Sequence, residues 1–395
     1  MESFDGIIDR LDIWPTTAGP LSGLKFAVKD MFDLEGRTCS FGTPDWKRTH
    51  SPAVKNAPSV QQLLDAGAHL KFNACADELA CSLDGINVHY GTPINAQAPD
   101  RIPGGSSSGS ASLVSRGEVD FALGTDTAGS VRVPASYCGI FGFRPSHDYI
   151  SIEGVCPLGA SFDTVGVFAG SSDLLEIASD VLLRQDQSYL AADATPTNLI
   201  IPERFASVLD PLIAPYMMAF VGALKKRFST VKEQDFYKHA RDVYDVFSIV
   251  RAREAWSAHQ EWLETVKPNL ATSIRQRIYS CRDISDDAFQ RGSAARADLL
   301  NRSDEVVDSN SFICLPTTWG FPPLKSASEA ELQDNRNRNI VITTLASCYG
   351  FPQVTIPISI GRMKLGISLM GAKGSDKALL RFVKELTGTE PALNN

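Results

Sequence analysis

Short apolar runs alternate with amphipathic segments in the first part of the chain. Leu24 to Val28 is an apolar run that predicts a β-strand, and this strand ends at Lys29, where a polar turn begins. The next segment has apolar residues at three-to-four spacing, which predicts a helix. Ser59 is predicted as its N-cap, and Gly67 lies near its predicted end. A strand followed by a helix and another short apolar run is typical of α/β architecture.

The second half of the chain returns to this pattern after a region of different composition. Between residues 85 and 165, Gly, Ser, Pro and Thr interrupt short apolar pieces, which is typical of loops that carry functional sites. Residues 240–266 predict a long helix with one apolar face, and Pro268 follows its end. Further elements are predicted as strands at 311–315, 353–358 and 364–370 and a helix at 340–348. The predicted fold class is therefore α/β.

The 395 residues contain no internal repeat, low-complexity tract or clear linker. We therefore predict a single domain over residues 1–395. Its catalytic core is predicted at about 20–170 and 306–395, and residues of about 171–305 are predicted to form a mostly helical elaboration.

Composition and charge exclude several classes of partner. The chain carries 38 Lys and Arg against 46 Asp and Glu, a net charge of −8 without a basic stripe, so no nucleic-acid partner is expected. No apolar run is long enough for a membrane span, so no membrane partner is expected either. The N-terminus lacks the pattern of a secretory signal, and a reducing, cytoplasmic location is expected. The eight cysteines form no CxxC pair and are interpreted as reduced core thiols.

Two glycine-rich segments are the densest candidates for chemistry. The first is Pro103 to Ser110, and the second runs from Leu123 to Pro134. In a loop such as Thr127 to Ser130, successive backbone N–H groups can converge on one point and stabilise an oxyanion, with a serine as nucleophile. The alternative is an exposed linker. Two observations weaken that alternative. Apolar runs flank the segments on both sides, and Asp126 and Arg132 are placed so that they could form an ion pair across the loop.

Other known serine motifs do not fit. Gly105 to Gly109 matches G-x-S-x-G but follows no strand, and Ser22 to Lys25 matches S-x-x-K without its partner motifs. The six histidines show no metal-ligand spacing, and His89 and His147 are more typical of structural positions. If histidine is not the base, lysine is the available alternative.

Lys29 follows an apolar strand, so its ammonium group could end inside the protein. At the reference pKa of about 10.4, a neutral lysine costs about 4.6 kcal/mol at pH 7. Burial can lower a lysine pKa by several units, which is enough to offset that cost. A strand-end lysine that reaches solvent is the competing interpretation.

Three motifs occur in order and together resemble the amidase signature family of serine hydrolases. They are Ala-Val-Lys29-Asp, Gly-Gly-Ser106-Ser107-Ser-Gly-Ser, and Gly-Thr-Asp-Thr-Ala-Gly-Ser130-Val-Arg-Val-Pro-Ala. Ser106 and Ser130 are 24 residues apart, which is the interval typical of that family. The resemblance covers most of the chain, except for about residues 175–305.

The resemblance implies an α/β fold in which helices cover both faces of a large mixed β-sheet. It implies a Ser–cisSer–Lys mechanism with Ser130 as nucleophile, Ser106 as bridging serine and Lys29 as base. The peptide between Gly105 and Ser106 is cis in the family. The remaining implied site residues are Thr127, Ala128 and Gly129, whose backbone N–H groups form the oxyanion hole together with that of Ser130, and Gly105, Ser107, Asp126 and Arg132 as supporting groups. No metal or organic cofactor is implied.

One residue departs from the family pattern: Ala128 stands where glycine is usual. A methyl group is tolerated there if φ is negative, but it could narrow the pocket or weaken an oxyanion donor. Further motifs resemble the plant-type indole-3-acetamide amidohydrolases, among them His89-Tyr90-Gly-Thr-Pro and Gly-Phe-Arg-Pro-Ser-His147. That subgroup implies a small aryl-acetamide substrate, with an acid and ammonia as products.

Three alternatives remain open from the sequence. The same mechanism could act on another amide or on a carbamoyl compound. The chain could be a non-catalytic amidase-like module, although it retains Lys29, Ser106 and Ser130. It could also be a subunit of an amidotransferase. A homodimer is compatible with the sequence but is not demonstrated by it.

Overall fold

The computed structural model describes residues 4–183, 195–236 and 240–389. In these ranges the strands are β1 (Ile7–Ile13), β2 (Lys25–Lys29), β3 (His69–Ala74), β4 (Phe121–Asp126), β5 (Phe141–Arg144), β6 (Thr164–Ala169), β7 (Asn198–Pro202), β8 (Thr230–Gln234), β9 (Ser311–Pro316), β10 (Gln353–Ile360) and β11 (Met363–Gly371). All of them belong to one sheet, in the order β1-β3-β2-β4-β6-β5-β10-β11-β9-β7-β8.

The sheet is mixed. Strand β2 lies parallel to β3 and β4, and β7 lies parallel to β8 and β9. The other neighbouring pairs of described strands are antiparallel. Strands β7 and β8 come from the middle of the chain, so the region predicted as a mostly helical elaboration also extends the sheet.

Helices connect the strands within the described ranges. They are α1 (Pro44–Thr49), α2 (Pro58–Asp65), α3 (Ser108–Ser115), α4 (Arg132–Cys138), α5 (Ser172–Leu182), α6 (Ala214–Lys225), α7 (Ala240–Val266), α8 (Thr272–Ser280), α9 (Asp286–Asn301), α10 (Ser303–Val306), α11 (Glu329–Tyr349) and α12 (Asp376–Thr389).

Side chains of the central strands alternate between two apolar layers. Ala27 and Ala122 face the layer that contains Ala111 of α3 and residues of α4. Their neighbours Phe26 and Phe121 stack at 5.4 Å on the opposite face, in the layer that contains residues of α2, α5 and α12. Because successive side chains of a strand point to opposite faces, the apolar runs at 26–28 in β2 and 121–123 in β4 require helices on both sides.

The elements differ from the sequence prediction at two helix starts. Helix α2 begins at Pro58 with Ala57 at the cap position, so Ser59 is not the cap and lies buried in the first turn. A proline suits the first helical position because its φ is already helical. Helix α11 begins at Glu329, well before the predicted start, because Ser328 and Glu331 form a capping box ahead of the apolar positions.

The region from 85 to 165 is less irregular than its composition predicts. The serine-rich stretch Ser108–Ser115 forms the buried helix α3, and Arg132–Cys138 forms the buried helix α4. Tertiary packing therefore overrides the weak helix propensity of Gly and Ser in this region. The predicted strand before Lys29, the helix over residues 240–266 and the three C-terminal strands are present within two residues of the predicted bounds.

Candidate active site

Lys29 ends β2 with its side chain fully buried. Its Nζ donates hydrogen bonds to Ser106 Oγ over 2.8 Å and to Thr125 Oγ1 over 2.7 Å. Thr125 lies on β4, which runs parallel to β2 and pairs with it. The adjacent strands thus hold a hydroxyl group beside the lysine, and the segment before α3 supplies a second one.

The environment of Lys29 favours the neutral amine more than water does. Burial lowers the pKa of Lys29 to about 7, while the carboxyl groups of Asp77 and Asp126 oppose this shift. Burial also raises the pKa of Asp77, whose Oδ1 has no hydrogen-bond partner among the described residues. A pKa near 7 makes Lys29 able to accept a proton at neutral pH.

Ser106 is held by its backbone as well as by Lys29. The peptide bond between Gly105 and Ser106 is cis. Gly105 N–H donates to Leu83 O over 2.9 Å, and Asp77 N–H donates to Ser106 O over 3.1 Å. Position 105 has no room for a side chain, because a Cβ there would lie 2.1 Å from Asp77 Oδ2.

Ser107 connects this segment to the neighbouring strand. Its Oγ donates to Thr125 O over 3.2 Å and accepts from Thr125 N–H over 3.2 Å. Its own N–H donates to Ser130 O over 3.3 Å. Ser107 therefore brings the backbone of Ser130 next to the segment that carries Ser106.

Asp126 forms the ion pair with Arg132 that the sequence suggests, and a second pair with Arg144. Arg132 Nη2 lies 2.7 Å from Asp126 Oδ1 and Arg144 Nη1 lies 3.1 Å from it, and all three side chains are fully buried. Burial alone raises the pKa of Asp126, but the two guanidinium groups and the N–H of Val131 outweigh it and hold this pKa well below its usual range.

The loop between β4 and α4 carries the predicted oxyanion donors. Gly129 N–H donates to Asp126 Oδ1 over 2.9 Å, so this predicted donor is already engaged. The N–H groups of Thr127, Ala128 and Ser130 meet no acceptor among the described residues. Gly129 has φ +120°, and a Cβ there would lie 3.0 Å from Thr343, so a side chain is excluded at this position.

Ala128 is accommodated by the same loop. Its φ is not positive, so the methyl group causes no backbone strain. Thr343 Oγ1 donates to Ala128 O over 2.5 Å, and Thr127 Oγ1 donates to Asp163 Oδ1 over 2.5 Å. These bonds to α11 and to the segment before β6 hold the loop from both sides.

Ser130 lies at the end of this loop and lines a small, partly open cavity. Two segments and three helices line the cavity together with Leu158. The lining residues are Ala80, Cys81, Ser82, Leu83, Thr127, Ala128, Ser130, Leu158, Phe247, Arg251, Arg277, Arg336 and Ile340. A serine hydroxyl and free N–H groups thus meet at one cavity.

This geometry is accompanied by a match to a known family. The Amidase family matches residues 9–380 of the chain. The chain belongs to the Amidase family. It is 37% identical to "Amidase 1" of Arabidopsis thaliana, over 97% of this chain and 98% of the relative. The predicted family is confirmed, and this amidase is a hydrolase that acts on amide C–N bonds.

A solved structure confirms the predicted fold class. A crystal structure described as that of an amidase superposes with a TM-score of 0.83 and 27% identity, over 94% of this amidase and 85% of that chain. The α/β architecture with a large mixed sheet is therefore shared with a known amidase.

The predicted cytoplasmic location is wrong, because similar relatives include proteins of organelle outer membranes. A relative 33% identical, over 94% of this amidase and 67% of the relative, is "Translocon at the outer membrane of chloroplasts 64" of Pisum sativum. Lack of a secretory pattern does not fix the compartment, because a sequence this similar belongs to a protein of an organelle membrane. Among the described helices of this amidase, none is long and apolar enough to cross a bilayer.

Histidine does not contact either serine in the part of the chain that the structure describes. His89 Nε2 lies 2.9 Å from Asn269 O, and His147 Nε2 lies 3.0 Å from Ala160 O. His239 lies outside the described residues. In the described ranges no group of three or more His, Cys, Asp or Glu side chains is arranged to hold a metal ion.

Sequence reasoning missed several groups at this site. Thr125 directly precedes Asp126, and its position on a strand beside β2 was the available signal. Asp77 comes from another segment of the chain, and no local pattern indicates that it approaches Lys29. The arginines of the cavity wall lie outside the motifs that carry the resemblance to the family, so no motif marks them.

Proposed function

We propose that this amidase hydrolyses small primary amides by a relay from Ser130 through Ser106 to Lys29. The observation that carries the proposal is the buried hydrogen bond between Lys29 Nζ and Ser106 Oγ, at 2.8 Å. A buried lysine with a pKa near 7 and a serine as its partner form a base that needs no histidine.

Acylation starts from the neutral amine of Lys29. Lys29 accepts the proton of the Ser106 hydroxyl, and Ser106 accepts that of Ser130 as Ser130 Oγ attacks the amide carbon. The carbonyl oxygen becomes an oxyanion, which the unengaged N–H groups of the Thr127 to Ser130 loop stabilise. We assign this role to Thr127, Ala128 and Ser130, and we assign Gly129 to the bond with Asp126.

Release of ammonia reverses the relay. The proton returns from Lys29 through Ser106 to the leaving nitrogen, because an amide anion is too basic to depart. The C–N bond breaks and an ester on Ser130 remains. Water then attacks this ester with the relay as base, and the products are a carboxylic acid and the free enzyme.

Two substrate classes fit this reaction. An aryl-acetamide such as indole-3-acetamide is supported by the resemblance to plant-type amidohydrolases and by the apolar side chains of Leu158, Phe247 and Ile340 in the cavity wall. Another amide or carbamoyl compound with the same mechanism is supported by the charged part of that wall.

Covalent labelling tests the proposed nucleophile. A fluorophosphonate probe is expected to modify the purified amidase at Ser130, as located by peptide mass spectrometry. Ser130→Ala is expected to fold normally, to lose labelling and to release no ammonia from an amide panel. Ser179→Ala serves as the control, because its buried hydroxyl has no hydrogen-bond partner and does not line the cavity. Turnover by Ser130→Ala would refute the mechanism.

A further inference from the structure

Three arginines line the cavity that contains Ser130. Arg251 comes from α7, Arg277 from α8 and Arg336 from α11, and all three are half-buried. The chain as a whole carries a net charge of −8, so this cluster is a local concentration of positive charge in an acidic protein. We call these residues the arginine cluster.

The arginine cluster forms no ion pair among the described residues. Arg277 donates to Cys81 O over 3.0 Å and to Gln333 Oε1 over 3.1 Å. Arg251 Nη1 donates to Cys281 Sγ over 3.7 Å. Arg336 Nε is buried without a hydrogen-bond partner. Neutral acceptors therefore satisfy only part of the donor capacity of these guanidinium groups.

Asp84 is a carboxyl group that interacts with Arg277 and Arg336, and its single charge does not balance the arginine cluster. Burial raises the pKa of Asp84, while Arg277 and Arg336 lower it. Asp84 Oδ2 accepts from Ser82 over 2.8 Å, and Asp84 Oδ1 has no hydrogen-bond partner. Even with Asp84 ionised, its one negative charge is set against three guanidinium groups that line the cavity, so the cluster keeps a net positive charge.

The positive charges of the three guanidinium groups repel each other, because all three line the same cavity. Burial, together with repulsion by Arg277 and Arg251, lowers the pKa of Arg336 to about 10. An anion bound in the cavity would offset this repulsion and would accept from the unused donors. The planar fork of a guanidinium group matches the two oxygens of a carboxylate.

We propose that the amidase acts on primary amides that also carry a carboxylate, which the arginine cluster binds while Ser130 attacks the amide. The inference rests on the proposed function. Hydrolysis of such a monoamide adds one water across the C–N bond and yields a dicarboxylate and ammonia. The apolar side chains of Leu158, Phe247 and Ile340 then contact the carbon chain between the two groups. A neutral aryl-acetamide would leave the cluster without a counter-charge.

A pair of nearly isosteric substrates tests the charge preference. Succinamate carries one carboxylate, and succinamide replaces it with a neutral amide. We expect kcat/KM, measured by ammonia release, to be about tenfold or more higher for succinamate, which corresponds to charge-assisted hydrogen bonds. If succinamide or indole-3-acetamide is hydrolysed at least as well as succinamate, the inference is wrong and the proposed reaction still stands.

Arg336→Gln is the most direct variant, because the Nε of Arg336 has no hydrogen-bond partner to lose. We expect KM for succinamate to rise about tenfold or more and KM for succinamide to change by a clearly smaller factor. An unchanged far-ultraviolet circular dichroism spectrum shows that the variant is folded. Arg338→Gln is the matched control, because Arg338 is exposed on the same helix and pairs with Asp334. An equal loss for both substrates in Arg336→Gln would contradict the proposal.

Succinate binding separates failure of the inference from failure of the proposed function. Isothermal titration of the wild type with succinate is expected to show binding that Arg336→Gln weakens about tenfold or more and Arg338→Gln does not. If succinate binds in this way but the enzyme neither hydrolyses any amide nor is labelled at Ser130, the anion site is supported and the hydrolase mechanism is refuted. No succinate binding to an enzyme that hydrolyses amides would overturn the inference alone.

Discussion

At the scale of single residues, the chemistry of Lys29 depends on where its ammonium group lies. The sequence predicts a strand that ends at Lys29 but leaves solvent exposure open. In the structure the side chain is fully buried, and burial lowers its pKa to about 7. The same residue in water would be almost wholly protonated at neutral pH.

The pH dependence of the reaction should reflect this shift. Only the neutral amine accepts a proton, so kcat/KM is expected to increase as pH rises through about 7 and then to level off. Steady-state ammonia release measured from about pH 5.5 to about 9 checks this. A rate that does not change across this range would contradict a lysine base with a lowered pKa.

Lys29→Met tests the same residue by a nearly volume-conserving change. We expect a loss of about 10²- to 10⁴-fold in kcat, the usual contribution of a general base, with the increase near pH 7 abolished. Lys25→Met is the control, because Lys25 is exposed at the other end of the same strand. A variant at Lys29 that kept the wild-type pH profile would assign the base to another group.

At the scale of elements, the segment that precedes α3 and contains Gly105 lies very close to the segment that carries Asp77. A Cβ at position 105 would lie 2.1 Å from Asp77 Oδ2, so Gly105→Ala must displace either the carboxyl group or the backbone next to Ser106. We expect a loss of activity of at least about 10²-fold, because a displacement of about 1 Å has that effect on reacting groups.

Gly222→Ala provides the comparison for Gly105→Ala. Gly222 lies in α6, and a Cβ added there would have no atom within 4 Å. This variant is expected to keep full activity and to gain roughly 0.5 to 1 kcal/mol in free energy of unfolding. Full activity of Gly105→Ala would show that the contact with Asp77 is not needed to position Ser106.

The turn between β4 and α4 depends on the Asp126 carboxylate. Asp126→Ala leaves the buried guanidinium groups of Arg132 and Arg144 without their counter-charge. Removing one partner of a buried pair costs about 3 to 5 kcal/mol, so urea denaturation should show a loss of that size. Asp334→Ala, which removes an exposed partner of Arg338, is expected to cost less than about 1 kcal/mol. Equal losses in the two variants would refute the structural role of Asp126.

Local sequence predicted strands better than it predicted helix starts. Apolar runs such as the one before Lys29 become central strands, because a strand that is covered on both faces buries side chains on both of its faces. The helix at Ser108–Ser115 was missed, because its Gly and Ser residues have weak helical propensity and its stability comes from burial. The polar first half of α11 was missed because its helix signal is a capping box rather than an apolar stripe.

At the scale of the whole molecule, the fold buries most of the cysteines. Cys39 and Cys156 are half-buried and lie with their Sγ atoms 3.5 Å apart, and the other six are buried. Burial raises the pKa of buried thiols such as Cys75 and Cys138, which lowers their reactivity further.

Thiol titration of the native and the denatured protein checks this distribution. We expect Ellman's reagent to modify at most two of the eight cysteines in the native amidase, and all eight after denaturation in guanidinium chloride. Any thiol that reacts in the native protein should be lost in Cys39→Ser or in Cys156→Ser. Rapid reaction of more than two native thiols would show that the core opens more readily than the structure indicates.

The sequence by itself determined the family, the α/β class and the residues Lys29, Ser106 and Ser130 as candidates, because these depend on local runs and ordered motifs. Only the tertiary structure decided that the amine of Lys29 lies beside Ser106 and Thr125, which are 77 and 96 positions away. It also decided that arginines from three helices line one cavity. The reason is that burial and contacts between distant residues arise from the packing of the whole chain, which no local pattern encodes.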